Sequence, residues 1–136
     1  MNPDRPTVLV VDDVASNIGL LSDALSDSYN IIAAKNGQMA LKVAQKNDQP
    51  DIILLDVVMP EMDGYEVIKV LKNNPLTAHI PVIFVSAKSS VVDEEYGLTL
   101  GAVDYITKPI SPPIVRARVH NHVELSRLIH MSSNQL

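Results

Sequence analysis

Residues 52–73 of the chain read IILLDVVMPEMDGYEVIKVLKN. The four aliphatic residues at the start of this stretch predict a short strand that is buried on both faces, as in a parallel sheet. Asp63 and Gly64 then mark a turn that opens a helix. Aliphatic side chains follow at helical spacing, at Val67, Ile68 and Leu71. One strand followed by one amphipathic helix is the repeating unit of an α/β protein.

The same unit recurs along the chain. Short aliphatic runs predict five strands, at residues 7–11, 29–34, 52–55, 81–85 and 104–107. The segments between them have helical spacing, as at Ile18, Leu21 and Leu25. Strand and helix alternating five times predict a single α/β layer structure with right-handed crossovers.

Capping and turn residues separate the predicted elements. Ser16 or Asn17 can cap the first helix, and the Asn36-Gly37 pair marks the turn before the second. Pro112 stands where the last helix would begin, because the missing N–H of proline costs least at that position. The positions of the capping and turn residues therefore agree with the element boundaries that the hydrophobic periodicity predicts.

The last predicted helix is longer than the others. It extends from Pro112 to about His130, and its apolar residues continue to position 129, past the point where a compact domain could cover them. The polar end, MSSNQL, is expected to be frayed. We therefore predict an N-terminal extension at 1–6, a domain at 7–124, and an extension of the last helix at 125–136 that frays or begins a linker.

Composition and charge limit the functions open to the chain. Its 136 residues suffice for one domain. Sixteen acidic against eleven basic residues give a formal charge of -5, so we expect no direct binding to nucleic acid. Cysteine is absent, which excludes disulfides and thiol chemistry. No apolar run could span a bilayer and no secretory signal opens the sequence, so we expect a cytoplasmic chain without membrane contact.

Polar side chains stand at the ends of the predicted strands. Asp12 and Asp13 follow the first strand, Asp56 the third, Ser86 the fourth and Lys108 the fifth. Ligands of a doubly wound sheet bind where the carboxyl ends of the strands meet, so we expect these groups on one rim. Taken singly, each could equally be a helix cap, a turn residue or a solvated side chain.

Three carboxylates on one rim would require a bound cation. Close carboxylates repel by roughly 1 to 4 kcal/mol per pair, so stability alone would not gather them. Oxygen ligands without histidine or cysteine nearby favour Mg²⁺, whose charge together with that of Lys108 would balance the carboxylates. Such a neutral site suits a phosphoryl group, and Asp56 is favoured as the nucleophile because it lies centrally among the strands.

Five motifs together resemble the receiver domain of two-component response regulators: VLVVDDVASN, NGQMAL, PDIILLDVVMPEMDGYEV, IPVIFVSA and GAVDYITKPI. Their order and separations are similar to those of the family over about residues 7–122. The resemblance implies a flavodoxin-like, doubly wound fold with a five-stranded parallel sheet in the order 2-1-3-4-5 and helices on both faces. It also implies that residues 7–124 are a receiver domain.

The resemblance implies roles for the acidic residues. Asp56 is expected to accept a phosphoryl group from the phosphohistidine of a partner histidine kinase. Asp13 is expected to bind Mg²⁺ directly and Asp12 largely through water, beside Asp56 itself and the backbone carbonyl of Val58. Mn²⁺ is an alternative ion.

A conformational switch is implied as well. Ser86 would turn toward the phosphoryl group, Lys108 would pair with that group, and Tyr105 would move inward as Ser86 moves. The Lys108–Pro109 peptide bond would be cis. Phosphorylation would thereby alter the face formed by the fourth helix, the fifth strand and the fifth helix.

Two further positions, Val58 and Lys88, match places where the family varies and adjusts the lifetime of the phosphoryl group. An apolar Val58 cannot position an attacking water, so we expect a long lifetime. The implied partners are a sensor histidine kinase or phosphotransfer protein and a downstream output domain or effector protein, and a homodimer is also open. We expect no separate metabolite to be turned over, so the chain itself is not predicted to be an enzyme.

Two other functions stay open on the residues alone. A Mg²⁺-dependent aspartyl-phosphate phosphohydrolase of the haloacid dehalogenase type places its nucleophile in a D-x-D motif, whereas Asp12 and Asp13 are adjacent. A flavin-binding electron carrier needs a phosphate-binding loop after the first strand, where this acid pair would repel phosphate. The histidines lack paired acidic ligands at zinc-like spacing, so we expect surface positions for His79, His120, His122 and His130.

Overall fold

The computed structural model describes residues 1–134. Its centre is a sheet of five parallel strands in the order β2-β1-β3-β4-β5. The strands are β1 (Thr7–Val11), β2 (Asn30–Ala34), β3 (Ile52–Leu55), β4 (Val82–Ser86) and β5 (Asp104–Thr107). Because β2 lies on one side of β1 and β3 on the other, the strand order reverses beside β1, where ligands of such sheets bind.

Within residues 1–134, five helices cover the two faces of the sheet: α1 (Ala15–Leu25), α2 (Gly37–Ala44), α3 (Gly64–Asn73), α4 (Val91–Thr99) and α5 (Pro112–Asn134). Helices α1 and α5 pack on one face, where Leu21 and Val119 lie in the same buried cluster. Helices α2 and α3 pack on the other face, where Ala40 and Val67 belong to a second cluster. Alternate residues of each strand belong to one cluster or the other, so each strand is buried on both faces. This explains why the strands are continuous aliphatic runs in the sequence.

The predicted elements agree closely with the observed ones. The strand order is confirmed, and each predicted strand lies within one residue of the observed bounds. Asn36 caps α2 and accepts a hydrogen bond from the Met39 amide at 2.8 Å. Asp63 caps α3 in a reciprocal capping box with Glu66. These local signals therefore mark the starts of the helices correctly.

The prediction that Ser16 or Asn17 caps the first helix is wrong. Helix α1 already begins at Ala15, after Val14, which makes no side-chain capping bond. The Oδ1 atom of Asp12 accepts hydrogen bonds from the Val14 amide at 2.9 Å and from the Asn17 side chain at 3.4 Å. Because Asp12 draws the chain into a turn this early, both candidate caps lie inside the helix.

Helix α5 is longer than predicted, since it continues past His130 to Asn134. The last two residues of the expected frayed end lie outside the described residues. Val115, Val119 and Val123 are buried, whereas Leu128 and Ile129 are about three-fifths exposed, at 62% and 60%. The packed part of the helix therefore ends near Val123. Among the described residues, no helix combines the length and the apolar character needed to cross a bilayer.

Candidate functional site

The candidate site lies at the carboxyl ends of four neighbouring strands. Asp12 and Asp13 follow β1, Asp56 follows β3, Ser86 ends β4 and Lys108 follows β5. Backbone hydrogen bonds extend the sheet pairing to these residues. The Asp56 amide donates to the Val11 carbonyl at 3.0 Å, and the Lys108 amide donates to the Ser86 carbonyl at 2.9 Å. The sheet therefore brings together all five polar residues that the sequence placed on one rim.

The three aspartates form one cluster. Asp12, Asp13 and Asp56 each offer a carboxylate oxygen, and these oxygens lie within 4.8 Å of one another. Asp12 is 1% exposed and Asp56 is 6% exposed, while Asp13 is exposed to solvent. Two carboxylates are thus held in the interior, and the third keeps the cluster open on one side.

The ammonium group of Lys108 joins the two buried carboxylates. Its Nζ atom lies 2.7 Å from Oδ2 of Asp12 and 3.3 Å from Oδ2 of Asp56. Burial opposes the charged ammonium, but the hydrogen bond to Asp12 and the two negative charges outweigh burial and raise the pKa of Lys108. The lysine is therefore a fixed positive charge at this site.

The positive charge of one lysine does not neutralise the negative charge of all three carboxylates. Burial raises the pKa of Asp56 above its ordinary value, and the nearby Asp12 acts in the same direction, against the opposing effect of Lys108. Three carboxylates facing one ammonium leave negative charge that a further cation would neutralise. The ligand atoms on offer are oxygens, which suits a hard divalent ion that keeps several waters, and this donor set fits Mg²⁺.

Val58 follows the acidic cluster and contributes its backbone. Its amide donates to Oδ1 of Asp56 at 3.3 Å, while its side chain is 55% exposed. Glu61, three residues further on, adopts the left-handed conformation with φ of 68°, which lets the chain turn back into α3. The loop after β3 therefore leaves an apolar side chain at the open edge of the site.

Ser86 is the last residue of β4, and Lys88 lies in the loop that follows it, between β4 and α4. Ser86 is fully buried, and its Oγ atom accepts a hydrogen bond from the Lys88 amide at 3.2 Å. The Lys108–Pro109 peptide bond, directly after the neighbouring strand β5, is cis, as the resemblance implies. The serine hydroxyl is thus held by the loop that follows it.

Tyr105 lies inside the protein in this structure. It is 4% exposed, and its hydroxyl donates to the Lys88 carbonyl at 2.7 Å. Burial raises the pKa of Tyr105 to about 12, with the neighbouring Tyr65 acting in the same direction. Tyr105, which is expected to move inward as Ser86 moves, is therefore buried here and hydrogen-bonded to the loop that follows Ser86.

Two residues near the site were not predicted from the sequence as functional. A Cβ atom at Gly64 would overlap the backbone carbonyl oxygen of Asp56, so α3 begins directly against the phosphoacceptor candidate. The ring of Tyr65, the next residue, packs edge-to-face on Phe84 with 5.5 Å between ring centroids. The Asp63-Gly64 pair signalled the turn but not this close approach.

The prediction for the histidines is correct except at one position. His79, His120 and His130 are exposed. His122 is only partly exposed, and its Nε2 atom lies 3.1 Å from Oδ2 of Asp104, which also pairs with Arg118 at 2.9 Å. The partner is on β5, far along the chain, so no local pattern could have revealed it.

Comparisons with known proteins agree with this geometry. The response regulator receiver domain family matches residues 8–120. A Vibrio cholerae protein named "Probable cyclic di-GMP phosphodiesterase" is 48% identical over 129 residues, which cover 95% of this chain and 29% of that protein. Response regulator PleD of Caulobacter vibrioides is 45% identical over 84% of this chain and 25% of its own length. The chain thus spans less than a third of these relatives.

Solved structures show the same architecture. The receiver domain of the Francisella response regulator 1452 superposes with a TM-score of 0.83 and 30% identity, covering 90% of this chain and 99% of that one. Chemotaxis protein CheY4 of Vibrio cholerae superposes with a TM-score of 0.78 and 30% identity, covering 88% of this chain and 98% of that one.

The chain belongs to the response regulator receiver domains. Its class of function is that of a phosphoacceptor module in two-component signalling. The comparisons give no support to the alternative of a haloacid dehalogenase type phosphohydrolase.

Proposed function

We propose that Asp56 is the phosphoacceptor of this receiver domain. The observation that carries the proposal is the Lys108 ammonium, which lies 3.3 Å from Oδ2 of Asp56 while that carboxylate is buried in an all-oxygen cluster. Asp12 is more deeply buried and more closely paired with Lys108, and Asp13 is exposed, so Asp56 best combines access with charge compensation.

Phosphorylation is a transfer between two nucleophiles. An Asp56 carboxylate oxygen attacks the phosphorus of a phosphohistidine, a P–O bond forms and the P–N bond breaks. The electron pair of the broken bond stays on the imidazole nitrogen, which takes up a proton. The signal ends by hydrolysis of the aspartyl phosphate. Water attacks the phosphorus and the P–O bond to Asp56 breaks, which releases inorganic phosphate and restores the carboxylate.

The acidic cluster supports a site for Mg²⁺, with Mn²⁺ as an alternative ion. Asp12, Asp13 and Asp56 would hold the ion together with the backbone carbonyl of Val58. When bound, the ion supplies positive charge toward the phosphoryl oxygens. Lys108 supplies the second positive charge, because its ammonium already contacts two of the carboxylates.

The switch is proposed to run from Ser86 to Tyr105. The phosphoryl group adds about two negative charges near neutral pH, which attract the Ser86 hydroxyl. Ser86 is bonded to Lys88, whose carbonyl accepts from Tyr105, so a movement of the serine is transmitted to β5 and to the face that β5 forms with α4 and α5.

The partners follow from the family and from the relatives. A sensor histidine kinase or phosphotransfer protein would donate the phosphoryl group, and an output domain or effector would read the α4, β5 and α5 face. Both named relatives are far longer than this chain, and one carries a cyclic di-GMP phosphodiesterase name. We propose an output of that kind in the whole protein, while this domain turns over no separate metabolite. Its lack of cysteine fits the reducing cytoplasm.

Intact-mass spectrometry after incubation with acetyl phosphate tests the assignment. The wild type should gain the mass of one phosphoryl group with Mg²⁺ and little without it, and Asp56→Asn should gain none. Asp27→Asn removes an exposed carboxylate and should behave as the wild type. An equal gain in the wild type and Asp56→Asn would overturn the proposal.

A further inference from the structure

Helix α4 lies on the sheet through one small residue. Within residues 91–99, Gly97 alone is buried, whereas α3 buries three large aliphatic side chains besides its first glycine. Val91 and Val92, at the start of α4, are 75% and 74% exposed. The position of α4 relative to the sheet therefore depends on what the backbone of Gly97 meets there.

Two aromatic rings of the sheet lie directly under Gly97. A Cβ atom at this position would lie 2.9 Å from Cδ2 of Phe84 and 3.1 Å from Cδ2 of Tyr105. Both rings are buried, and their centroids are 5.8 Å apart. Because a closely packed interior has no free space for an added methyl, a side chain at residue 97 would displace one of the rings or lift α4 from the sheet.

Backbone hydrogen bonds hold Gly97 in place over the rings. Its carbonyl accepts a hydrogen bond from the Ala102 amide at 3.4 Å. The next residue, Val103, donates its amide to the carbonyl of Val82 in β4 at 2.9 Å. These bonds join the end of α4 to β4 and to the start of β5, so the contact of Gly97 with the two rings belongs to the folded domain.

Tyr105 connects this contact to the candidate site. Its hydroxyl donates a hydrogen bond to the Lys88 carbonyl at 2.7 Å, and the Lys88 amide donates to Oγ of Ser86 at 3.2 Å. Phe84, the other ring under Gly97, lies two residues before Ser86 in β4. A displacement of the Tyr105 ring would therefore disturb the loop that holds the Ser86 hydroxyl.

We propose that Gly97 is a positioning residue of the switch. Because it has no side chain, α4 lies directly against the buried ring of Tyr105, and this contact couples the position of α4 to binding at the phosphoryl site. The inference rests on the proposed function, because it assigns a further residue to the switch of that site. Such coupling is reciprocal, so a methyl at residue 97 should weaken the binding of a phosphoryl group.

Titration with beryllofluoride, an analogue of the phosphoryl group, tests this inference at saturating Mg²⁺. Bound beryllofluoride is measured by fluorine NMR for wild type and Gly97→Ala. Gly19→Ala adds the same methyl to α1, where a Cβ would meet nothing within 4 Å, and is the matched control. Isothermal titration with Mg²⁺ alone gives a second readout, because the carboxylates of the acidic cluster follow β1 and β3.

A second pair of variants covers the case in which Gly97→Ala does not fold. Phe84→Leu removes the ring that the methyl would meet at the shortest distance, and the contact with Tyr105 remains. Phe84→Leu is therefore compared with Phe84→Leu/Gly97→Ala in the same two titrations. This comparison isolates the effect of the methyl on Tyr105.

Gly97→Ala should bind beryllofluoride about fivefold more weakly than wild type, and Phe84→Leu/Gly97→Ala should show the same loss relative to Phe84→Leu. Gly19→Ala should keep the wild-type affinity, and the Kd for Mg²⁺ should be the same in every variant. A wild type that binds no beryllofluoride with Mg²⁺ overturns the proposed function and this inference together. If wild type binds it, an unchanged affinity in either alanine variant at residue 97, an equal loss in Gly19→Ala, or an equal loss of Mg²⁺ affinity overturns this inference alone.

Discussion

The Lys108 ammonium donates a hydrogen bond of 2.7 Å to Oδ2 of Asp12, across 96 positions of the chain. The bond occupies an oxygen of the cluster that is proposed to hold Mg²⁺, so the lysine and the ion compete for the same negative charge. At the same time the lysine lowers the repulsion among carboxylates when no ion is bound. The pair therefore sets how strongly the free domain attracts a divalent ion.

Lys108→Met should bind Mg²⁺ more tightly than the wild type. Because one positive charge beside the cluster is lost, the free energy of Mg²⁺ binding should become more favourable by about 1 kcal/mol or more at the effective dielectric of a partly buried site. This corresponds to at least about a fivefold lower Kd. Isothermal titration with Mg²⁺ measures the change. Lys42→Met removes the same charge from an exposed position on α2 and should leave the Kd unchanged. A weaker affinity in Lys108→Met would show that the lysine does not compete with the ion.

Asp56→Asn should stabilise the domain without Mg²⁺, and the gain should grow with pH. Burial raises the pKa of Asp56 above 3.8, so the folded state binds this proton more strongly than the unfolded state does. The wild type therefore loses stability as the pH rises from the ordinary aspartate pKa through the raised one, whereas the asparagine does not titrate. Urea unfolding of both proteins below and above this window measures the difference. A difference in the free energy of unfolding that is constant with pH, or that narrows as pH rises, contradicts a raised pKa of Asp56 in the folded state.

Gly64→Ala should destabilise the domain by about 1 to 3 kcal/mol, because the added methyl meets backbone atoms of Asp56 and Val57 that cannot rotate away. Gly19 in α1 gives the opposite control, since a Cβ there would meet nothing within 4 Å. Gly19→Ala should gain about 0.5 to 1 kcal/mol from helix propensity. Denaturant unfolding compares the two, and an equal effect in both would refute the steric argument.

Most of the fold was predictable because it rests on local patterns. Continuous aliphatic runs predicted the strands, and Asp63 predicted the start of α3, since buried parallel strands and capping boxes have distinct sequence patterns. The cap of α1 was not predictable from its neighbours. Asp12 belongs to the acidic cluster and also accepts a hydrogen bond from the Val14 amide, so a side chain of the cluster determines where that helix begins.

The site was predictable as a set of residues but not as a set of contacts. Because parallel strands end on one rim, Asp12, Asp56 and Lys108 could be placed together from the sequence. The sequence did not indicate that Tyr65 packs on Phe84 or that His122 contacts Asp104, because each contact joins elements that are distant in the chain. Such contacts depend on how helices lie on the sheet, which periodicity alone does not determine.

Val58→Asn should shorten the lifetime of the phosphoryl group on Asp56. The Val58 side chain is 55% exposed at the open edge of the site and has no polar atom to orient a water, whereas asparagine has a donor and an acceptor. A polar side chain that orients the attacking water should raise the rate of hydrolysis by about tenfold or more. Loss of radioactive phosphate from the purified phosphorylated domain gives the rate. Val70→Asn, at an exposed position on α3, should keep the wild-type rate, and an unchanged rate in Val58→Asn would contradict the prediction.

Val119→Ala and Leu128→Ala test where the receiver domain ends along α5. Val119 is fully buried against the sheet, so its truncation should cost about 2 kcal/mol. Leu128 is 62% exposed, nine residues further along the same helix, and its truncation should change the free energy of unfolding by less than about 0.5 kcal/mol. Urea unfolding measures both. A large cost at Leu128 would mean that the domain continues past residue 124, because the distal helix would then be packed and not only an extension at 125–136.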